Sequence, residues 1–163
     1  MEEILYPVLH IIHILTVILW IGGLGFITIL ILPMVVKMPD ALQKVLLFQR
    51  IEHRFAPIAR YYTVIVGATG FAMFFILDLT SIVFTKEGMF LLLMIAIWCF
   101  WVIMLFGLEP LIVKRILDNL SKQKGKDLEI EDLFNRMNIL HFVLLFLSLT
   151  AATSGIIFAH SHF

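Results

Sequence analysis

Four stretches of the chain are long and apolar enough to cross a bilayer: Ile4 to Val36, Phe55 to Leu79, Met89 to Val113 and Asn138 to Ala159. Each meets the roughly 20 consecutive apolar residues that carry a helix through the hydrocarbon layer. The pattern therefore predicts four transmembrane helices joined by three loops. On one side of the membrane the helical pattern outlasts the apolar one. Ala41, Val45, Phe48, Ile51 and Phe55 recur at helical spacing, so the second helix is expected to begin about four turns before it enters lipid. Asp40 after Pro39 is its expected N-cap, and Pro57 is expected to kink it near the interface. The third helix is expected to run past Pro110 toward Asn119, and Ser121 to Asp127 reads as the one flexible stretch, with the fourth helix restarting near Leu128. The predicted helices are thus about 4–36, 41–79, 88–119 and 128–160, forming one transmembrane domain over 1–163. The fold class expected is all-α, an integral membrane four-helix bundle. The sequence shows neither an internal repeat nor a low-complexity tract.

Composition agrees with this pattern. The 163 residues are 61% hydrophobic and 15% charged, with a mean hydropathy of +1.03, which leaves too little polar surface for a soluble globule. The first run does not read as a cleaved signal peptide, because it is too long and follows Glu2 and Glu3 in place of basic residues. A formal charge of zero gives no reason to expect a nucleic-acid partner. The distribution of charge is more informative than its sum. Lys37, Lys44, Arg50, Arg54 and Arg60 lie in and after the first loop, and Lys114, Arg115, Lys122, Lys124, Lys126 and Arg136 in and around the third. The second loop has only Lys86. By the positive-inside rule the first and third loops are cytoplasmic and both termini face outside, as in a multi-pass protein of a cell's inner (cytoplasmic) membrane. Cys99 is the only cysteine, which excludes an intrachain disulfide, a thiolate-held cluster and the C-x-x-C-H attachment of a c-type haem.

Against this background the histidines stand out. An imidazole in lipid is costly and is retained where it has a partner, a metal or a function. His10 and His13 lie on the first helix near the outer side, three residues apart and so on one helix face, a usable metal-ligand spacing. His53 opens the membrane part of the second helix, and His141 lies one turn into the fourth, both near the cytoplasmic side. His160 and His162 follow the fourth helix, where a terminal His-Ser-His is commonly just solvated. His13, His141, His53 and His10 are the candidate cofactor and metal ligands. Neutral imidazoles on different helices could supply the axial bonds of a b-type haem in a water-excluding bundle. Arg54 and Arg60 would suit its propionates, since arginine pairs bidentately with carboxylates.

Small residues add to this reading. Gly22, Gly23 and Gly25 on the first helix, and Gly67 and Gly70 on the second, let helices approach closely or make room for a flat ligand. On the fourth helix Asn138, His141, Leu145, Ser148, Ala152 and Gly155 form one small, partly polar face, expected to point inward. Copper is the alternative cofactor: His10 and His13 could join Met73, Met89 and Met94 as soft ligands for Cu(I). Glu109 is expected to pair with Arg60, Lys114 or Arg136, and Asp78 to cap the outer end of the second helix. No G-x-S-x-G, P-loop or nucleophile–base spacing is present, so hydrolase and NTPase chemistry has no residues to carry it.

Three segments resemble a known family. The stretch from His13 to Leu24, H-I-L-T-V-I-L-W-I-G-G-L, resembles the opening helix of the small integral membrane proteins that include HemJ-type protoporphyrinogen oxidases and the related CopD-type copper-resistance domains. Residues 48–55, F-Q-R-I-E-H-R-F, resemble the basic entrance to their second helix, and residues 134–138, F-N-R-M-N, are similar to the segment opening the last helix in the HemJ type. The resemblance implies a four-helix membrane bundle, haem b bound through His13, and redox chemistry on a porphyrinogen. Two features depart from it. The third-helix lysine of the HemJ type has no counterpart, Lys86 being at the outer edge, and His141 stands where that type tends to have a proline. The expectation is therefore a haem b protein, with one or two haems, acting in electron transfer or oxidation. Whether it is an oxidoreductase enzyme, and which residue would be catalytic, stays open, as does homo-oligomer formation. Its expected partners are membrane lipid and a redox partner such as a quinone or a cytochrome.

Overall fold

The structure is a computed structural model and describes residues 2–108, 111 and 127–162, with side chains described for 4–108, 111 and 131–161. It is helical, and no strand occurs among the described residues. Helix α1 (Glu2–Phe26) passes through a five-residue π segment, Ile27–Ile31, into α2 (Leu32–Val36). Helix α3 is Ala41–Ile76, α4 is Met89–Ile103 followed by a second π segment, Met104–Leu108, and α5 is Asp127–His162. Four helices are long and apolar enough to cross a membrane: Ile4–Val36, Ala41–Ile76, Met89–Leu108 and Glu131–Ser161. The expected continuation of the third helix toward Asn119 and the flexible stretch at 121–126 lie outside the described residues.

Local chemistry explains where the helices begin and end. Asp40 is extended (φ −93°, ψ 115°) and its side chain accepts from the backbone N–H groups of Leu42 and Gln43, so it caps α3 as expected by satisfying two otherwise unpaired donors. The helix is continuous through Pro57. It stops at Ile76, three residues short of the expected Leu79, where Asp78 takes a left-handed conformation (φ 48°). Asp78 thus ends a helix where a cap had been expected, and its carboxylate accepts from Thr80 Oγ1 at 2.9 Å.

Both π segments precede a proline by one residue: Leu32 then Pro33, Glu109 then Pro110. Proline has no N–H, and its ring crowds the carbonyl four residues back. A turn widened by one residue relieves that crowding. In the first segment the Leu32 N–H bonds Ile27 O, five residues back, and the helix then runs on through Pro33. In the second, the Leu105 carbonyl would look five residues ahead to Pro110, which has no N–H to give. Arg60 Nε donates to it instead, at 2.9 Å, tying α3 to the end of the third long helix.

The helices pair as two antiparallel hairpins, α1 against α3 and α4 against α5. Trp20, Leu24, Val66, Trp101 and Leu145 centre the main core, and Leu79, Val83, Leu91 and Phe158 form a smaller cluster near the other end. The indole rings of Trp20 and Trp101 meet edge to face, 5.2 Å between centroids. Buried hydroxyls are satisfied by their own helices: Thr16, Thr28, Thr63 and Ser148 each donate to the carbonyl four residues back. The outer surface is apolar, with Ile4, Leu15, Ile18, Phe75, Ile139 and Phe146 all exposed. In water such a surface would aggregate, whereas lipid is its natural solvent. On α5 the face containing Asn138, His141, Leu145, Ser148, Ala152 and Gly155 is buried or half-buried, and Leu140, Phe142, Val143 and Phe146 on the other side are exposed. The inward face read from the sequence is the inward face of the structure.

Candidate functional site

His13 is held across a helix interface. Its Nδ1 lies 2.9 Å from Thr69 Oγ1 on α3. The Thr69 hydroxyl proton is committed elsewhere, to Ile65 O at 2.7 Å with Val66 O at 3.2 Å, so the oxygen can only accept from His13. Nδ1 therefore carries the proton and Nε2 the lone pair. Thr69 is 7% exposed, and Gly70 beside it makes the approach possible, since a Cβ there would stand 3.2 Å from His13 Cε1. An imidazole with Nδ1 anchored to an oxygen is the arrangement used for metal ligation through Nε2.

His141 is prepared in the same way by a different partner. Its Nδ1 lies 2.9 Å from the Met137 carbonyl one turn back, and a carbonyl can only accept, so Nδ1 is again the donor. The ring is thus drawn toward its own helix by one edge, leaving Nε2 on the other. His141 lines a cavity of about 100 Å³. The aromatic walls are Trp20, Phe48, Phe55 and Trp101, and Glu52 joins His141 as the other ionisable residue in the lining among the described residues. Trp101 is 4% exposed, and its Nε1 is buried with no hydrogen-bond partner. Asn138 Oδ1, one turn before His141, is likewise buried with no hydrogen-bond partner among the described residues.

The structure separates His13 from His141. The neighbours of His13 on α3 are Thr69 and Gly70, whereas the cavity at His141 meets α3 at residues 48–59 and α1 at Trp20 and Leu24. Thr69 is ten positions on from Ala59 along α3, about 15 Å along the axis at 1.5 Å per residue. The two imidazoles are therefore at different depths and do not meet at one iron. The other candidates are dispersed. His53 and Arg54 are exposed, and the face of α3 that turns inward at this level carries Phe48, Glu52, Phe55 and Ala56. Arg60 is half-buried with its Nε on Leu105 O. The His10 ring stacks on Tyr6, 5.6 Å between centroids. His160 is exposed, with Nδ1 3.0 Å from Ile156 O. Among the described residues no three His, Cys, Asp or Glu side chains come together as a metal cluster. Glu109, Lys114 and the His162 side chain lie outside the described residues, and Arg136 pairs with Asp132 at 2.9 Å on the exposed start of α5.

The glycines sort themselves by what they face. Gly67 lies flat against the Trp98 ring, and a Cβ there would stand 2.3 Å from Trp98 Cζ2. Trp98 Nε1 donates to Thr63 O at 3.0 Å. Gly23 admits the edge of Phe55, and Gly22 faces nothing within 4 Å.

Compared with known protein families, characterised proteins and solved structures, the chain shows no match. The chemistry of the two histidine sites is therefore read from their own residues. Sequence reasoning had the histidines and the small residues. It did not find Thr69 as the partner of His13, or Glu52 and Trp101 at the His141 cavity. The one available signal was spacing: Thr69 is followed directly by a singled-out glycine, and Trp101 lies nine residues before Pro110 as the helix nears its widened turn.

Proposed function

We propose that this is a multi-pass protein of the cytoplasmic membrane that binds haem b through His13 and acts in electron transfer or oxidation. Its first and third loops face the cytoplasm and its termini face out, on the distribution of Lys and Arg. The observation that carries the reading is the His13–Thr69–Gly70 arrangement: an intramembrane imidazole whose Nδ1 is held by a hydroxyl of the neighbouring helix. The donor chemistry suits a haem iron, for which a neutral histidine is the usual axial ligand. The likeness of the His13 to Leu24 stretch to HemJ-type and CopD-type proteins supports the same assignment, and with it a protoporphyrinogen oxidase-like activity.

The fit differs between the two histidines. The cavity at His141 is about 100 Å³, well short of the roughly 300 Å³ at which pockets for larger ligands begin, so it does not take a tetrapyrrole. The assignment of one haem to His13 rests on the donor chemistry of that imidazole and not on a cavity beside it. A haem b there would supply a one-electron couple inside the bilayer. The chain itself orients the ligand ring through Thr69 and excludes water through the packing of α1 on α3. Arg54 and Arg60 lie toward the other end of α3 and are not disposed around His13, so they are not assigned to propionates.

The test is an absorption spectrum of the purified protein from haem-replete cells. An intense Soret band with sharp reduced α and β bands, lost in His13→Ala and kept in His141→Ala, is the expected result. A colourless preparation holding stoichiometric copper would favour the copper reading built on His10, His13, Met73, Met89 and Met94.

A further inference from the structure

We propose that Arg50 and Arg54 hold the phosphate of an anionic phospholipid in the headgroup layer, because they form an unpaired cationic turn at one end of an exposed apolar stripe of α3 whose length matches the hydrocarbon thickness. The inference rests on α3 as a membrane-crossing helix and not on the haem assigned to His13.

Helical spacing puts Arg50, Arg54, Pro57, Tyr61, Val64 and Phe75 on one side of α3, and all six are exposed. Phe75 is 21 positions on from Arg54, about 31 Å along the axis at 1.5 Å per residue, against a hydrocarbon layer of about 30 Å. With Phe75 at one edge of the hydrocarbon, Arg54 is therefore at the other. Arg50 is one turn further out, within a headgroup layer about 5–7 Å deep on each side. Side chains of a helix lean toward its N-terminus, which for these arginines is the direction away from the bilayer centre. Both guanidinium groups are thus directed to the level of lipid phosphates, on a surface that lipid touches.

Charge identifies the occupant. Residues four apart on a helix are neighbours, and like charges so placed repel. The other positions three and four away from the two arginines are Leu46, Leu47, Ile51, His53, Pro57 and Ile58, none of them acidic. Glu52 turns to the cavity at His141 instead, and neither arginine pairs with an acid among the described residues. Arg136 gives the contrast: it is as open to solvent, but Asp132 neutralises it at 2.9 Å. A phosphate between Arg50 and Arg54 removes their repulsion and accepts charge-assisted hydrogen bonds from both. The occupant is a lipid because the exposed stripe runs on from the arginines into Pro57, Tyr61 and Val64, a surface for acyl chains. A zwitterionic head carries its own cation to the site, so a head of net negative charge is preferred.

The experiment is native mass spectrometry of the delipidated full-length protein in detergent, titrated with palmitoyl-oleoyl phosphatidylglycerol or with the phosphatidylcholine of the same chains. The first phosphatidylglycerol should bind about 25-fold tighter than the first phosphatidylcholine, at about fivefold for each arginine near a membrane surface. Arg50→Gln and Arg54→Gln should each lower that preference about fivefold, and the double variant should abolish it. Lysine at both positions, which keeps the charges, should retain most of it. Lys37→Gln removes an exposed charge from the same end of the bundle and should leave the preference as it is. All of these positions are exposed, so the variants should unfold at the parent's temperature. The proposal is overturned if the parent binds the two lipids alike, or if the preference survives in the double glutamine variant. It is equally overturned if Lys37→Gln lowers the preference as much as either arginine variant, which would show a general attraction, or if excess ammonium phosphate displaces the lipid, which would make the ligand a soluble anion.

Discussion

His13 Nδ1 donates to Thr69 Oγ1 across the α1–α3 interface at 2.9 Å, and the Thr69 hydroxyl passes its own proton to Ile65 O. The chain of donors runs one way only, which fixes the tautomer of an imidazole within the membrane. Groups that orient a metal ligand in this way are worth about 10–100-fold in metal affinity. Thr69→Val, close in shape and lacking the hydroxyl, should loosen haem by about that factor and broaden or shift the Soret band. Thr69→Ser should restore most of the loss. Haem transfer to an apo-globin scavenger, timed for the three proteins, measures it.

The glycines give a graded test of the packing. Gly67→Ala places a Cβ 2.3 Å from the Trp98 ring, Gly70→Ala places one 3.2 Å from His13 Cε1, and Gly22→Ala meets nothing within 4 Å. Overpacking of a tight contact costs about 1–3 kcal/mol. Thermal unfolding in detergent should therefore rank Gly67→Ala as the least stable and Gly22→Ala as near parental. Gly70→Ala should fall between them in stability and be the one of the three that alters the haem spectrum.

Arg60 makes a prediction that sets its structural use apart from a cofactor role. Its Nε satisfies Leu105 O, a carbonyl whose partner five residues on is a proline. Arg60→Met should strand that carbonyl at a cost of about 1–3 kcal/mol, read as a lower unfolding temperature. The position of the Soret band should not move. A shifted band with unchanged stability would instead place Arg60 at the haem.

These relationships also show what the sequence could disclose. The four spans and the N-cap at Asp40 follow from periodicity and backbone chemistry, which are local. The inward face of α5 follows from the same source, because small and polar residues recur at spacings of three and four in an otherwise bulky helix. The partner of His13 could not be found in that way. Thr69 is 56 positions distant, and which residues of α3 meet α1 depends on how the two helices slide past each other. The widened turns before Pro33 and Pro110 were likewise hidden, since a proline in a helical pattern reads equally as a kink, a break or a π segment. Loop charges did separate His13 from His141 by depth, and the contacts of the two rings place them at different depths. On the face of α3 around His53 and Arg54, Glu52 lines the cavity, and the two residues that follow it are exposed.

Haem content per chain, measured by the pyridine haemochrome method on the parent protein, His13→Ala and His141→Ala, bears most directly on the assignment of His13. One haem per chain is expected in the parent and in His141→Ala, and none in His13→Ala. Equal haem in the parent and His13→Ala, or loss of all haem in His141→Ala alone, would contradict it.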